Sequence, residues 1–184
     1  MRPILFTIAS LLLICTVANG QYLWLTVEGG AQGKFKPENS RQRNTIDAIS
    51  FTQEVTTPRD LATGQSSGRR QYQPITIVKS AGASSPQFLQ ALINNEVLKK
   101  VTLEFVKTNA NGEEYVFYRV TLEDARLAGY KQFTMSSTEG GATSKHANSS
   151  EGNLFDEIKF TFRKLTVESM DGKTMAADDW STNR

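Results

Sequence analysis

Cysteine occurs once in the chain, at Cys15, and histidine once, at His146. A disulfide framework or a structural zinc needs several such side chains at fixed spacings, so neither is expected, and no cofactor or metal is read from the sequence. Charge of one sign is also scarce. The 21 Lys and Arg stand against 19 Asp and Glu, a net +2 spread along the chain. A nucleic-acid groove needs clustered cations, whereas Arg69-Arg70 and Lys99-Lys100 are only pairs and read as solvated surface. Heptads, internal repeats and long charge runs are missing. So are G-x-S-x-G, H-E-x-x-H and a P-loop. The neighbouring acids Glu113-Glu114 and Asp178-Asp179 fall on strand-like segments, where adjacent side chains point to opposite faces. No enzyme chemistry is expected.

One long apolar run is present, Ile4–Ala18, behind the positive start Met1-Arg2. Ala18-Asn19-Gly20 puts small residues at −3 and −1 of a cut between Gly20 and Gln21, the pattern of a secretory signal peptide over residues 1–20. The run is shorter than the roughly 20 residues of a bilayer span, so stable membrane insertion is not expected. Ile14 is too bulky for a lipoprotein cut at Cys15. Cleavage removes that cysteine, and the product Gln21–Arg184 enters an oxidising compartment with no disulfide. It is long enough to form one domain with an adequate core.

Arg70–Lys79, RQYQPITIVK, predicts a strand. SSPQFLQALINNE then predicts a helix over about residues 85–95, with Ser84 or Ser85 as N-cap and Pro86 at the first helical position. Phe88, Leu89, Leu92 and Ile93 form its apolar stripe. Asn94 and Asn95 suit its exit, because Asn tolerates left-handed backbone. A hairpin follows. Val101, Leu103 and Phe105 share one face of its first arm, and Val116, Tyr118, Val120 and Leu122 one face of its second. Asn109-Ala110-Asn111-Gly112 lies between, and an even-length turn is expected, since it brings the two apolar faces together.

Elsewhere, Tyr22–Glu28 alternates as a strand covered on both faces, with Leu23, Leu25 and Val27 on one side and Tyr22, Trp24 and Thr26 on the other. Lys34–Asn44 reads as a polar loop. Ala48–Val55 predicts a second strand with Ile49, Phe51 and Val55 in phase. Thr56–Arg70 is a long polar loop whose one large apolar residue is Leu61, and such loops are usually functional or disordered. Pro74 suggests that the next strand begins at a sheet edge. Ala125–Met135 predicts a strand with Gly129 at a bulge or close approach. Ser136–Gly152 is low-complexity and polar; it carries His146 and the glycosylation acceptor pattern Asn148-Ser149-Ser150. In the last long strand, Ile158, Phe160 and Phe162 share a face, and a bulge at Arg163-Lys164 is expected to return Leu165 and Val167 to the core. Asp171-Gly172 turns the chain into a short tail ending at Trp180. The fold class is mainly β: a small barrel or two packed antiparallel sheets of about eight strands, with one flanking helix and no large internal cavity.

Taken in order, several of these strings resemble one family. They are RQYQPITIVK at Arg70–Lys79, PQFLQALINNE at Pro86–Glu96, VTLEF at Val101–Phe105, GEEYVFYRVTL at Gly112–Leu122, DEIKFTF at Asp156–Phe162 and the closing DG…ADDW from Asp171 to Trp180. Together they resemble the haemolysin-coregulated protein (Hcp) family, the tube protein of bacterial type VI secretion, over nearly all of Tyr22–Trp180. The resemblance implies a single Hcp-like β-barrel domain over 21–184 that assembles with itself into six-membered rings. The rings stack into a hollow tube that is fired by a sheath, crowned by a spike and carries small effectors. Thr56–Arg70 matches the family's extended loop, which marks Arg59, Asp60, Leu61, Arg69 and Arg70 as candidate subunit contacts. Family members are made in the cytoplasm without a leader, and Met1–Gly20 departs from that. Two readings follow: an exported relative, such as a secreted monomeric binding or virulence module, or a start placed too early on a protein that is cytoplasmic before firing.

Overall fold

A computed structural model describes residues 21–38, 44–134 and 154–181. The leader Met1–Gly20 with Cys15, and the loop Ser136–Gly152 with His146 and Asn148, lie outside the described residues. The elements are β1 (Gln21–Gly29), β2 (Ile46–Thr52), β3 (Val55–Thr56), β4 (Gln71–Tyr72), β5 (Ile75–Ser80), α1 (Ser85–Ile93), β6 (Leu98–Thr108), β7 (Glu114–Thr134), β8 (Leu154–Thr161), β9 (Lys164–Ser169) and β10 (Thr174–Asp179).

Strands run β7-β6-β1-β2-β5-β8, all antiparallel, and β8 pairs back onto β7. That pairing closes a barrel and removes its open edges. β9 and β10 extend from the first half of β7 as a flap, and β3–β4 form a separate two-stranded ladder. The interior is filled by alternate residues of every barrel strand, among them Leu25, Val27, Ile46, Ile75, Ile77, Val101, Leu103, Val120, Leu122, Ile158 and Phe160, all buried. α1 packs through Phe88 and Ala91. The Phe88 ring meets Phe35 at 5.0 Å and Phe160 at 6.2 Å, both edge-to-face. Burying Phe88 fully is worth about 2–3 kcal/mol gross.

Several expectations are corrected. The buried row of α1 is Ser85, Phe88 and Ala91 with Leu92 beside it, while Leu89 and Ile93 are exposed. Spacing alone had two apolar rows to choose from, and the one that also carries Ser85 is turned inward. Ser84 is the N-cap residue, but its hydroxyl makes no cap bond. Asn94 closes the helix and Asn95 takes φ 48°, as expected of Asn there. The polar loop after β1 conceals a core residue, Phe35, held by its N–H donating 3.0 Å to the Val27 carbonyl.

In β2 the register shifts between Ala48 and Ser50, so Ile49 is exposed, and Val55 leaves the barrel for β3. Pro74 does not mark a sheet edge. It sits in the break between β4 and β5, and β5 is paired on both sides, with β2 and β8. The β6–β7 turn is odd rather than even: Asn109 N–H donates to Glu113 O at 2.9 Å around Ala110–Gly112. A bulge between Phe105 and Val106 restores parity, so Val101 faces Leu122, Leu103 faces Val120 and Phe105 faces Tyr118 as the apolar pattern demanded. Gly129 does adjoin a bulge, between Leu127 and Gly129.

The expected two strands around Asp124 are one, the 21-residue β7. Within it the buried set changes phase, from Val120 and Leu122 to Ala125 and Leu127, at Asp124 with φ 48°. Opposite, Ile158 and Phe160 on β8 give way to Leu165 on β9 across a break at Phe162-Arg163. Both partners jump together, so the pairing is Arg126↔Thr161 on one side and Glu123↔Lys164 on the other, without slippage. The anticipated bulge is therefore a joint shared by two strands. The tail after Asp171-Gly172 is a further strand, β10, paired along its length with β9.

Candidate functional site: a projecting arm, the hollow at its base and a buried polar clamp

Beyond β3–β4 the chain continues as a hairpin arm. Gln73 N–H donates to Glu54 O at 3.0 Å, Ser67 N–H to Pro58 O at 3.0 Å and Asp60 N–H to Gln65 O at 2.9 Å, with a bridge between Arg59 and Ser66. The long polar loop is thus a ladder almost to its tip. Asp60 builds that tip. Its Oδ1 accepts from the N–H of Ala62 (2.9 Å), the N–H of Thr63 (2.7 Å) and the hydroxyl of Thr63 (3.0 Å), an Asx turn. The Thr63 N–H first, then its hydroxyl and the Ala62 N–H, hold the Asp60 carboxyl below its ordinary range. Gly64 supplies the positive φ of 70° that the turn requires, and Arg59 Nη1 donates to Gly64 O at 3.1 Å. Leu61 stands wholly exposed, at 103% of its reference surface.

At the arm's base, Arg70 forks onto Asp178 of β10 through Nε and Nη2, and the Tyr72 hydroxyl donates to the same carboxylate at 2.8 Å. The Arg70 bonds are the main reason the Asp178 carboxyl titrates below its ordinary value. Tyr72, Phe162 and Trp180 form an aromatic trio, with centroids 5.4, 6.0 and 6.4 Å apart. Tyr72 and Trp180 of this trio line, with Arg69 and Arg70, an open hollow of about 170 Å³. Arg69 makes no ion pair with a described residue.

The candidate contact residues therefore divide. Arg59, Asp60 and Leu61 lie at the tip, and Arg69 and Arg70 at the base. Tyr72, Phe162, Asp178 and Trp180 were not singled out, because their meeting depends on β10 returning beside β4, more than a hundred positions away in sequence.

A second cluster sits where α1 meets the barrel. Lys79 of β5 is fully buried and donates to Glu38 Oε1 (2.8 Å), Ser80 O (2.7 Å) and Ser85 Oγ (3.3 Å), with Asp156 Oδ2 at 3.2 Å. Asp156 of β8 also accepts from the Ser85 hydroxyl, from Tyr130 (2.9 Å) and from Gln132 (3.0 Å). Burial pushes the Asp156 pKa up, but these donors and Lys79 outweigh it and hold the carboxyl low. A serine beside a lysine invites a nucleophile–base reading. Here the lysine is a charged donor shared among two carboxylates, a carbonyl and the serine oxygen itself, and the serine hydroxyl is spent on Asp156, so neither is free to act as base or nucleophile. The cluster is a clamp on the helix N-terminus. Among the described residues, no group of three His, Cys, Asp or Glu could hold a metal ion, and no helix is long and apolar enough to cross a membrane.

The family described as "Type VI secretion system effector, Hcp" matches residues 22–168. The "Major exported protein" of Pseudomonas aeruginosa is 33% identical over 158 residues, which are 84% of this chain and 87% of that protein. A crystal structure of an Hcp protein superposes with a TM-score of 0.75 at 24% identity, covering 88% of this chain and 98% of the other. The secreted protein Hcp3 of Pseudomonas aeruginosa superposes at 0.67 with 23% identity, covering 88% and 99%. A closed barrel with one clamped helix, matched along most of its length by sequence as well as by shape, places this chain in the Hcp family of type VI secretion proteins.

Proposed function

We propose that the chain is a tube-building unit: six copies close a ring, rings stack into a hollow tube, and small effectors travel in the lumen. The observation that carries the reading is the arm, an ordered projection ending in a wholly exposed leucine, on a barrel whose own strand edges are closed. A ring needs a head-to-tail contact between unlike surfaces, and a projecting arm supplies one of them. Sheath and spike proteins are the further partners, with no nucleic acid and no catalysis. Negative-stain imaging of the purified protein is expected to show six-subunit rings. A monomer at high concentration overturns the reading.

Met1–Gly20 favours a second reading, an exported relative that serves as a secreted monomeric binding module. The signal peptide would direct it across the membrane and be cut off between Gly20 and Gln21. N-terminal sequencing of secreted protein separates the two. A start at Gln21 supports export by cleavage, and a start at Met1 returns the chain to a cytoplasmic tube.

A further inference from the structure

We infer that the hollow at the base of the arm, walled by Arg69, Tyr72 and Trp180, receives Asp60 and Leu61 from the arm tip of a second copy. This rests on the self-assembly reading above and names the two surfaces that meet. The hollow offers an aromatic floor and one guanidinium, Arg69, that no described residue neutralises, whereas Arg70 is already satisfied by Asp178. It suits an apolar side chain next to a carboxylate. The tip presents that pair. Leu61 is the most exposed large hydrophobic residue among those described, and Asp60 precedes it. Asp60 uses Oδ1 for all three of its turn bonds and leaves Oδ2 without a bond to a described residue. Leucine on an aromatic face combined with aspartate on a guanidinium joins apolar burial to a charge-assisted hydrogen bond.

The contact cannot close within one chain. Six ladder positions separate Gln71 from Gln65, and at about 3.3 Å per residue the tip lies roughly 20 Å from its own base. Tip-to-base contact joins two different patches of the same chain, so repeating it head-to-tail builds a ring or a stack, whereas a reciprocal exchange of arms stops at a two-fold dimer. Ile93, Leu89 and Met175 are exposed but have no carboxylate immediately before them in sequence, and the exposed Val55 and Tyr115, which follow Glu54 and Glu114, are held in strand ladders opposite Tyr72 and Lys107 rather than at a projecting tip.

The test is cysteine cross-linking in a full-length Cys15→Ser background, where no other thiol exists. Ser181 follows Trp180 in the chain, is exposed and does not line the hollow, so Ser181→Cys places a thiol beside it. Chains with Leu61→Cys alone and Ser181→Cys alone are mixed, allowed to assemble and oxidised. A disulfide-linked heterodimer is expected, with neither single variant forming homodimers in comparable yield. Alongside this, Arg69→Glu is expected to raise the half-assembly concentration at least about tenfold with an unchanged thermal melt, and Asp60→Asn, which keeps the turn acceptor, to raise it less. Rings that assemble without the cross-link, and that tolerate Arg69→Glu, overturn the tip-to-base contact while leaving self-assembly standing. A wild-type chain that makes no higher assembly overturns both.

Discussion

Lys79 shows how much one buried charge decides. It lies fully inside the protein between Glu38 and Asp156, and its partners come from three separate segments of the chain. A hydrophobic replacement leaves two carboxylates facing each other without their cation, so Lys79→Met is expected to cost about 3–5 kcal/mol in denaturant unfolding. A loss under about 1 kcal/mol contradicts the clamp. Asp156 gives the companion prediction in pH. Its folded-state pKa lies below the ordinary 3.8, so the unfolded chain binds more protons between the two values. Its stabilising contribution is thus complete above the ordinary value and is lost as pH falls through the depressed one. Asp156→Asn is expected to flatten the acid limb of the stability–pH curve, and an unaltered slope contradicts the assignment. None of this was legible beforehand. Lys79 reads in sequence only as the last residue of a strand, and its burial depends on the helix arriving over the barrel.

At the scale of elements, the shared joint in β7 and β8–β9 explains how one long strand serves two neighbours. β7 pairs with β9 before Asp124 and with β8 after it, and Arg163 spans the joint by donating to Asp124 and Asp179 at 2.8 and 2.7 Å. Asp124 holds a positive φ that glycine adopts freely and a β-branched residue does not. Asp124→Gly is expected to stay within about 1 kcal/mol of the parent, and Asp124→Val to lose about 1–3 kcal/mol more, in equilibrium unfolding. Equal effects contradict a backbone origin. Half of this joint was readable, since the phase jump from Phe162 to Leu165 required one extra step. The other half was present as Leu122 to Ala125 but hidden by treating the region as two strands. The helix illustrates the opposite limit. Its existence, Pro86 and its Asn exit follow from local chemistry, but the choice between its two apolar rows was set by the burial of Phe88 together with the clamp on Ser85, neither of which is local. Phe88→Ala is accordingly expected to cost about 3–5 kcal/mol, and Ile93→Ala under about 0.5, by thermal or denaturant melts.

For the whole molecule, the fold class was readable because strand alternation, turn chemistry and one capped helix agree. Family membership was readable because those strings keep their order. The arm was legible as a polar insertion with Leu61 at its centre, while its base was not, since the hollow combines Tyr72 with residues of the C-terminal flap. The barrel satisfies its own strand edges and its own core, which leaves the arm and the outer edge of β10 as the described parts that intramolecular pairing does not account for. Native mass spectrometry of the parent chain beside a variant with Pro58–Gly68 replaced by Asn-Gly tests this most directly. Six-subunit rings are expected from the parent and folded monomer from the shortened chain. A parent that remains monomeric, or a shortened chain that assembles equally well, contradicts a wall unit built to dock on its own copies.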